Sequence, residues 1–158
     1  MGFTVDTIDT SVGFEPKERG WNLNRTDVCG FTAVDTYDGA ISISTIEHVG
    51  LGHYGDPVDS EGDKKALKRI SDALKPGARV FISVPFSSFA KTTWQRIYDS
   101  SSLRSLFQDF SRVKMQVFSF DKFRWRPGAP PAPQGKAESP SASLPVTSVA
   151  LVEAVKPV

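Results

Sequence analysis

The sequence predicts an α/β fold around one sheet that is mostly parallel and ends in an antiparallel strand. Short apolar stretches alternate with two segments of helical periodicity. The order along the chain is strand, loop, helix, strand, helix, strand and strand. A length of 158 residues suits one domain with a substantial core, so we expect a single domain over residues 1–158.

The N-terminal third contains three predicted strands. Residues 3–9 alternate apolar and polar side chains, which predicts a strand that ends at Asp9. Trp21 and Leu23 indicate a short edge strand, and the turn-rich residues 24–38 follow it. Residues 39–46 form an apolar run typical of a buried strand.

The middle of the chain predicts a helix over residues 61–74 and a strand over residues 79–84. Apolar residues recur at spacings of three and four on one helical face, with charges opposite: Leu67, Ile70, Ala73 and Leu74. The residues "KPG" at 75–77 should end this helix, with Gly77 as a left-handed cap. We expect residues 40–46 and 79–84 to be adjacent parallel strands joined by a right-handed crossover through this helix.

The C-terminal third predicts a helix over residues 100–110, with one apolar face formed by Leu103, Leu106, Phe107 and Phe110. Strands are expected over residues 113–120 and 146–155. Between them, residues 127–145 hold six of the eleven prolines. Because this composition builds no core, we expect a mobile loop there.

Composition excludes several classes of protein. The 19 basic and 18 acidic residues give a net charge of +1. The sequence has no basic stripe of the kind that predicts nucleic-acid binding. A single cysteine, Cys29, excludes an internal disulfide framework and a multi-cysteine zinc site. No apolar run approaches the roughly 20 residues of a membrane span, and no signal-peptide pattern is visible. We therefore expect a cytoplasmic protein that binds neither nucleic acid nor membrane.

Two stretches resemble a known family. "YDGAISISTIEH" at 37–48, followed by "ALKRISDALKPGARVFISVPF" at 66–86, resembles the second half of the class I S-adenosylmethionine-dependent methyltransferases. "IEHVGLGHYGDP" at 46–57 narrows the resemblance to a type-11-like bacterial subgroup. The resemblance covers residues 3–126 and the terminal strand, and it implies a Rossmann-like methyltransferase sheet.

The resemblance also implies a set of cofactor-binding residues. In open α/β sheets, ligands bind beyond the carboxyl ends of the strands. Asp9, or Asp6 if the strand ends early, matches the family's ribose-binding carboxylate, while Asp27 and the Val28 amide match its adenine contacts. Ser44 and Thr45 would line the methionine side of S-adenosylmethionine. The alternative is that both Asp9 and Asp27 are ordinary turn or cap residues.

The family's glycine-rich first strand is not found ahead of Asp9, where Gly2 is the only glycine. That strand lies in the middle of the family's sheet, and its turn holds the methionine end of the cofactor. We therefore expect an N-terminally truncated version of the fold, in which either the strand ending at Asp9 pairs with the strand over 39–46 or a gap remains. A homodimer or a partner chain that completes the sheet would cover the exposed edges.

The loop over residues 45–57 raises two chemical alternatives. Its acidic residues and histidines, together with nearby acids, resemble a metal-binding composition, but the five-residue spacing of His48 and His53 argues against a metal site. His48 is the candidate general base, since imidazole titrates near neutral pH, with a structural histidine as the alternative. Tyr54, Arg96 and Tyr98 are candidates for substrate binding, although Arg96 can instead pair with Asp99.

Three functions follow from these observations. The first is a methyltransferase-like protein that uses S-adenosylmethionine and acts on an unidentified small-molecule or glycan-related acceptor. We expect weak or no activity from the isolated chain because the glycine-rich turn is not found. The second is a non-catalytic interaction module, and the third is a metal-dependent hydrolase.

Overall fold

The structure is a computed structural model that describes residues 2–10, 15–34, 36–87, 90–91, 93–121, 123–128 and 148–158. Its strands are β1 (Val5–Ile8), β2 (Trp21–Asn24), β3 (Tyr37–Ile43), β4 (Leu74–Pro85), β5 (Ala90–Lys91), β6 (Arg96–Ile97), β7 (Ser111–Asp121), β8 (Arg124–Pro127) and β9 (Ser148–Val155). Its helices are α1 (Gly62–Asp72) and α2 (Ser100–Leu106), with a 3-10 turn over Ile46–His48.

The main sheet has five strands in the order β3–β4–β9–β7–β8. β3 and β4 are parallel, and the other three neighbouring pairs are antiparallel. The prediction of a mostly parallel sheet is therefore only partly right. β9 enters between β4 and β7 against the direction of β4, as expected for the last strand, but β7 and β8 add two further antiparallel pairs.

The connection from β3 through α1 to β4 confirms the predicted parallel pairing of residues 40–46 and 79–84, with Ala40 opposite Val80 and Ile43 opposite Ser83. The predicted helix cap is wrong. α1 ends at Asp72 with Ala73 as its C-cap, while Gly77 lies in an irregularity of β4 with φ of +79°. The Gly77 amide donates to the Lys156 carbonyl at 3.0 Å, so this glycine instead joins the first part of β4 to the residue that follows β9.

β1 and β2 form a separate parallel pair. Within the described residues, no strand lies between β1 and β3, and these two strands do not pair with each other. The Tyr37 hydroxyl at the start of β3 donates to the Asp6 carboxylate on β1 at 2.8 Å. Of the two expected arrangements, the structure has the one in which the sheet is interrupted.

The core lies on one face of the five-stranded sheet. Val80, Ile82 and Val84 of β4 are at most 3% exposed, and alternate residues of β9 are equally buried. The helices pack here through Leu67 of α1 and through the four apolar residues predicted for the second helix, Leu103, Leu106, Phe107 and Phe110. The helical periodicity of the sequence therefore identified the correct buried faces.

Most predicted elements are found within a few residues of their expected bounds. Sequence reasoning missed β8, which pairs with β7 and ends at Pro127, and also the short β5 and β6 pair. The predicted mobile loop over residues 127–145 lies outside the described residues, apart from 127 and 128.

Two glycines let the loop after β3 approach the start of α1. Gly50 has φ of +80°, and a Cβ atom there would overlap the Asp59 carbonyl oxygen. A Cβ atom on Gly62 would lie 2.7 Å from both the Val49 carbonyl oxygen and the Gly50 Cα. This backbone contact requires glycine at both positions and fixes the loop against α1.

We predict that Gly50→Ala lowers the free energy of unfolding by about 2–4 kcal/mol, measured by urea denaturation. About 1–2 kcal/mol comes from the left-handed backbone and the rest from overlap with the Asp59 carbonyl. Gly55→Ala is the matched control, because Gly55 has φ of +82° but open space around its Cα. Equal losses from the two variants would show that the close approach contributes nothing.

Candidate active site

A cleft of about 290 Å³ lies at the carboxyl ends of β1, β2 and β3. β1 is parallel to β2, and β3 is parallel to β4. Residues that follow β1, β2 and β3 line the same cleft, as expected for a ligand site in an α/β sheet. The lining residues are Ile8, Asp9, Thr10, Thr26, Asp27, Val28, Ser44, Thr45, His48, Val49, Tyr54 and Asp56. The interruption between β1 and β3 does not prevent the strand ends from sharing one cavity.

The cleft brings together seven of the nine residues predicted from the sequence. All five cofactor candidates line it (Asp9, Asp27, Val28, Ser44 and Thr45), as do His48 and Tyr54. Sequence reasoning did not single out Ile8, Thr10, Thr26 or Val49 as site residues, and it considered Asp56 only as a possible metal ligand. Each lies within a few residues of a strand end or in the loop after β3, so their neighbourhood was identified although their side chains were not.

The turn after β2 presents Asp27 and Val28. One oxygen of the Asp27 carboxylate accepts the Cys29 amide at 3.2 Å, and the Asp27 carbonyl accepts the Gly30 amide at 3.0 Å. These bonds give Asp27 a turn-forming role, which was the alternative to its cofactor role. The two roles are compatible, because a carboxylate has two oxygens and can accept several hydrogen bonds.

His48 is held by the backbone of the segment before β6. Its Nδ1 lies 2.7 Å from the Trp94 carbonyl oxygen. A carbonyl only accepts, so Nδ1 carries the proton of the neutral ring and Nε2 carries the lone pair. Nε2 lies 3.9 Å from the Glu47 carboxylate. The side chain is 14% exposed and borders the cleft, so the ring has a fixed orientation at the cavity wall.

An aromatic cluster extends from His48 to the surface. The Trp94 ring lies 4.8–5.6 Å from the rings of His53, Tyr54 and His48. The imidazole Nε2 of His53 also donates to the Thr93 carbonyl. Trp94 and Tyr54 are about half exposed, so the cleft has an aromatic rim.

Asp56 holds the loop that carries this rim. Its two oxygens accept the Gly50 amide at 2.5 Å and the Tyr54 amide at 3.2 Å. Partial burial acts to raise the pKa of Asp56, but the amides of Gly50, Tyr54 and Gly52 outweigh it and hold the pKa below its usual value. The carboxylate is therefore an ionised part of the cleft wall at neutral pH.

Arg96 lies inside the protein and does not line the cleft. Its guanidinium donates to the carbonyls of Val49 at 2.6 Å, Asp59 at 3.2 Å and Ser60 at 3.3 Å, and it is only 3% exposed. It does not pair with Asp99, which caps α2 by accepting the Ser102 amide at 2.7 Å. In the structure, Arg96 organises the loop after β3.

Tyr98 is also buried away from the cleft. Its hydroxyl donates to the Asp63 carboxylate at 2.9 Å, and burial followed by the Asp63 charge raises its pKa. The same carboxylate lies 3.6 Å from the Arg96 guanidinium. Two of the three residues proposed for substrate binding, Arg96 and Tyr98, therefore form one internal polar cluster with Asp63.

The acidic residues of the loop and of the start of α1 have separate partners. Asp59 accepts from Lys65 and from the Glu61 amide, and Glu61 accepts from Lys64 at 2.6 Å. Among the residues that the structure describes, no three histidine, cysteine, aspartate or glutamate side chains lie close enough to hold a metal ion.

Two buried groups have strongly raised pKa values. Burial raises the pKa of Glu47 from 4.5 to about 7, and one of its carboxylate oxygens has no hydrogen-bond partner within the described part of the chain. Burial, followed by the charge of Asp27, raises the pKa of Cys29 from 9.0 to about 11. Cys29 is therefore a thiol at neutral pH, which agrees with a packing residue rather than a nucleophile.

Several solved structures similar to this chain are methyltransferases. A methyltransferase from Burkholderia thailandensis, solved with 1,6-didemethyltoxoflavin and S-adenosylhomocysteine, is 18% identical with a TM-score of 0.61, covering 98% of this chain and 62% of that one. The N-methyltransferase NodS from Bradyrhizobium japonicum WM9, solved with S-adenosylhomocysteine, is 12% identical with a TM-score of 0.57, covering 97% and 66%.

A third similar structure, a SAM-dependent methyltransferase from Methanosarcina mazei, is 13% identical with a TM-score of 0.60, covering 98% of this chain and 82% of that one. At these identities the likeness shows the fold. The protein has the Rossmann-like α/β fold of S-adenosylmethionine-dependent methyltransferases, and it spans less than two thirds of the lengths of the Burkholderia and Bradyrhizobium enzymes.

The particular family is shown by its sequence model. The chain belongs to the family described as "Caenorhabditis protein of unknown function, DUF268", whose model matches residues 15–122. A comparison with curated proteins found no match. The type-11-like bacterial subgroup stays a prediction. In the described ranges, no helix is long and apolar enough to cross a membrane.

We predict that Arg96→Lys lowers the free energy of unfolding by about 2–4 kcal/mol, because one ammonium cannot replace a fork that reaches several carbonyls. Arg79→Lys is the matched control, since Arg79 forms an exposed ion pair with Glu153 and should lose less than about 1 kcal/mol. Urea denaturation of both variants measures the difference. A loss for Arg96→Lys no larger than the control's would contradict the anchoring role.

We predict that Glu47→Gln removes a pH dependence of stability. Between pH 4.5 and about 7, the folded protein holds a proton on Glu47 that the unfolded chain has lost. The free energy of unfolding therefore falls as the pH rises through this window, by up to about 3 kcal/mol at 1.36 kcal/mol per pKa unit.

The measurement is urea denaturation of the wild type and of Glu47→Gln from pH 4 to pH 8. The stability difference between them should move in favour of the variant as the pH rises. The exposed Glu61→Gln provides the control. A difference that stays constant with pH would show that the pKa of Glu47 does not change on folding.

Proposed function

We propose that the cleft binds the adenosyl part of S-adenosylmethionine and that the protein is methyltransferase-like. The observation that carries this proposal is the meeting of seven predicted residues in one cavity at the ends of three strands. These residues come from three separate parts of the sequence. When bound, the cofactor would supply a methyl group from its sulfonium.

The chemistry of the lining fits a nucleoside. In this proposal Asp9 accepts hydrogen bonds from the ribose hydroxyls, and Asp27 accepts one from the adenine amino group beside the Val28 amide. Apolar side chains of Ile8 and Val49 in the lining suit the faces of a base. The volume of about 290 Å³ lies at the lower end of the roughly 300–1,000 Å³ typical of small-molecule sites. The cavity therefore suits part of the cofactor better than all of it.

His48 is the proposed general base. Its Nδ1 is bound to the Trp94 carbonyl, so Nε2 is the nitrogen that would take a proton from a methyl acceptor. Tyr54 and the aromatic rim would border that acceptor, which we propose to be a small molecule or a glycan-related compound. Arg96 and Tyr98 support this side of the site from inside the protein.

The isolated chain should bind the complete cofactor weakly. In the part of the chain that the structure describes, no glycine lines the cleft. The amino-acid end of the cofactor would therefore lack the backbone amides of a glycine-rich turn. Each lost hydrogen bond to a charged group is worth about 1.5–3 kcal/mol. Two or three such losses weaken binding by several powers of ten. We propose weak or undetectable methyl transfer for this chain alone.

Ligand-observed NMR with adenosine, methionine and S-adenosylhomocysteine tests the proposal. We predict that adenosine and S-adenosylhomocysteine bind with similar affinities near the millimolar range and that methionine does not bind. Asp9→Asn and Asp27→Asn should abolish the signals. Asp38→Asn is the control, because Asp38 pairs with Lys75 at an exposed position outside the cleft.

Two results would overturn parts of this proposal. Micromolar binding of S-adenosylhomocysteine, far tighter than that of adenosine and lost in Asp9→Asn, would show a complete cofactor site and an active enzyme. Failure of adenosine to bind, or binding unchanged in both aspartate variants, would remove the cofactor role of the cleft.

A second candidate function is a non-catalytic interaction module. The observation that favours it is a sheet face that no described helix covers, where Ile41 and Ile43 are about 70% exposed. The two functions are compatible, because this face and the cleft are different surfaces. We also propose a cytoplasmic location.

A further inference from the structure

Among the described residues, neither helix packs on one face of the five-stranded sheet, and part of this face is apolar. α1 and α2 pack on the face formed by Val80 and Ile82, and within the described residues neither helix reaches the other face. That face carries four large apolar side chains from three strands, namely Ile41, Ile43, Phe81 and Leu151, which are 72%, 69%, 46% and 46% exposed. Sheets with parallel strands in α/β folds normally bury both faces. A contiguous patch of this kind marks an interaction surface.

Strand register arranges this face in two rows. The first row is Ile41, Phe81, Glu153 and Lys114, and the second row is Ile43, Ser83, Leu151 and Gln116. A shallow trough of about 380 Å³ runs between them. The β3 and β4 half is apolar, whereas the β9 and β7 half carries charges of both signs.

We infer that this face binds the same face of a second copy of the chain. The two-fold axis of this dimer lies between the two packed sheets and runs along the rows, perpendicular to the strands. Each row of one copy then faces the other row of the partner. Ile41 then meets the partner's Ile43, so apolar halves pack together. The Phe81 ring lies over the partner's Ser83, whose small side chain is recessed and leaves room for it.

Charge also favours a second copy. Glu153 lies beside Lys114 and forms an ion pair with Arg79 at 2.9 Å, so the polar half has no single-sign stripe. Two copies can therefore approach without like-charge repulsion. A partner of strong net charge gains nothing from this mixed rim.

The available area suits a dimer. The four apolar side chains expose roughly 500 Å² if a large side chain has about 200 Å² to bury. A standard interface buries about 800 Å² per partner, and the polar half of the two rows supplies the remainder. The apolar half forms one side of the contact, along β3 and β4, and the charged half forms the other side, along β9 and β7.

Sedimentation velocity of the full chain, from low to high micromolar concentration, tests the inference. The wild type should approach twice the 17.3 kDa chain mass as concentration rises. Ile41→Lys and Ile43→Lys should each remain monomeric over the same range, because each places an ammonium in the contact between Ile41 and the partner's Ile43. Val58→Lys is the matched control, since Val58 is 84% exposed in the loop before α1 and lies outside this face.

Far-UV circular dichroism confirms that each variant is folded, and the two face variants serve as independent tests. A wild type that stays monomeric at the highest concentration would overturn the inference and leave the face to a different partner. A dimer that survives in both face variants, or that Val58→Lys disrupts equally, would also overturn it.

Discussion

The loop between β3 and α1 depends on one buried guanidinium. Arg96 donates to carbonyls of Val49, Asp59 and Ser60, which come from both ends of the loop. A planar fork with five donors can hold several carbonyls at once. The glycine contact between loop and helix and the placement of His48 at the cleft follow from this anchor.

The same anchor explains the unusual electrostatics beside the cleft. The Arg96 guanidinium donates to backbone carbonyls and lies 3.6 Å from the Asp63 carboxylate, which also accepts a hydrogen bond from Tyr98. Glu47 contributes its backbone carbonyl to Arg96 at 3.4 Å, but its carboxylate receives no such bond. Burial without a compensating cation therefore raises its pKa. The result is a titratable acid 3.9 Å from the lone-pair nitrogen of the proposed base.

Most of the strands, both helices and the cleft could be predicted because they depend on local periodicity and on the rule that ligands bind at strand ends. The role of Arg96 could not. Its sequence neighbour Asp99 suggested a surface pair, yet Asp99 caps α2 and Arg96 turns inward to carbonyls about 40 residues earlier. The predicted cap at Gly77 was wrong for a similar reason. A glycine after a helical pattern predicts a left-handed cap, but α1 ends at Asp72, before Gly77. Contacts between segments that are far apart in the sequence determine both the direction of the Arg96 side chain and the hydrogen bond of Gly77 to Lys156.

β3 links the two surfaces of this protein. Its last residues carry Ile43 on the open face of the sheet, and Ser44 follows directly in the cleft lining. The Ser44 amide donates to Ser83 on β4, at the position that would receive the partner's Phe81 in the inferred dimer. Covering the face would therefore restrain the strand end that forms one wall of the cleft. Ligand binding and association would then be thermodynamically coupled, with each strengthening the other by the same factor.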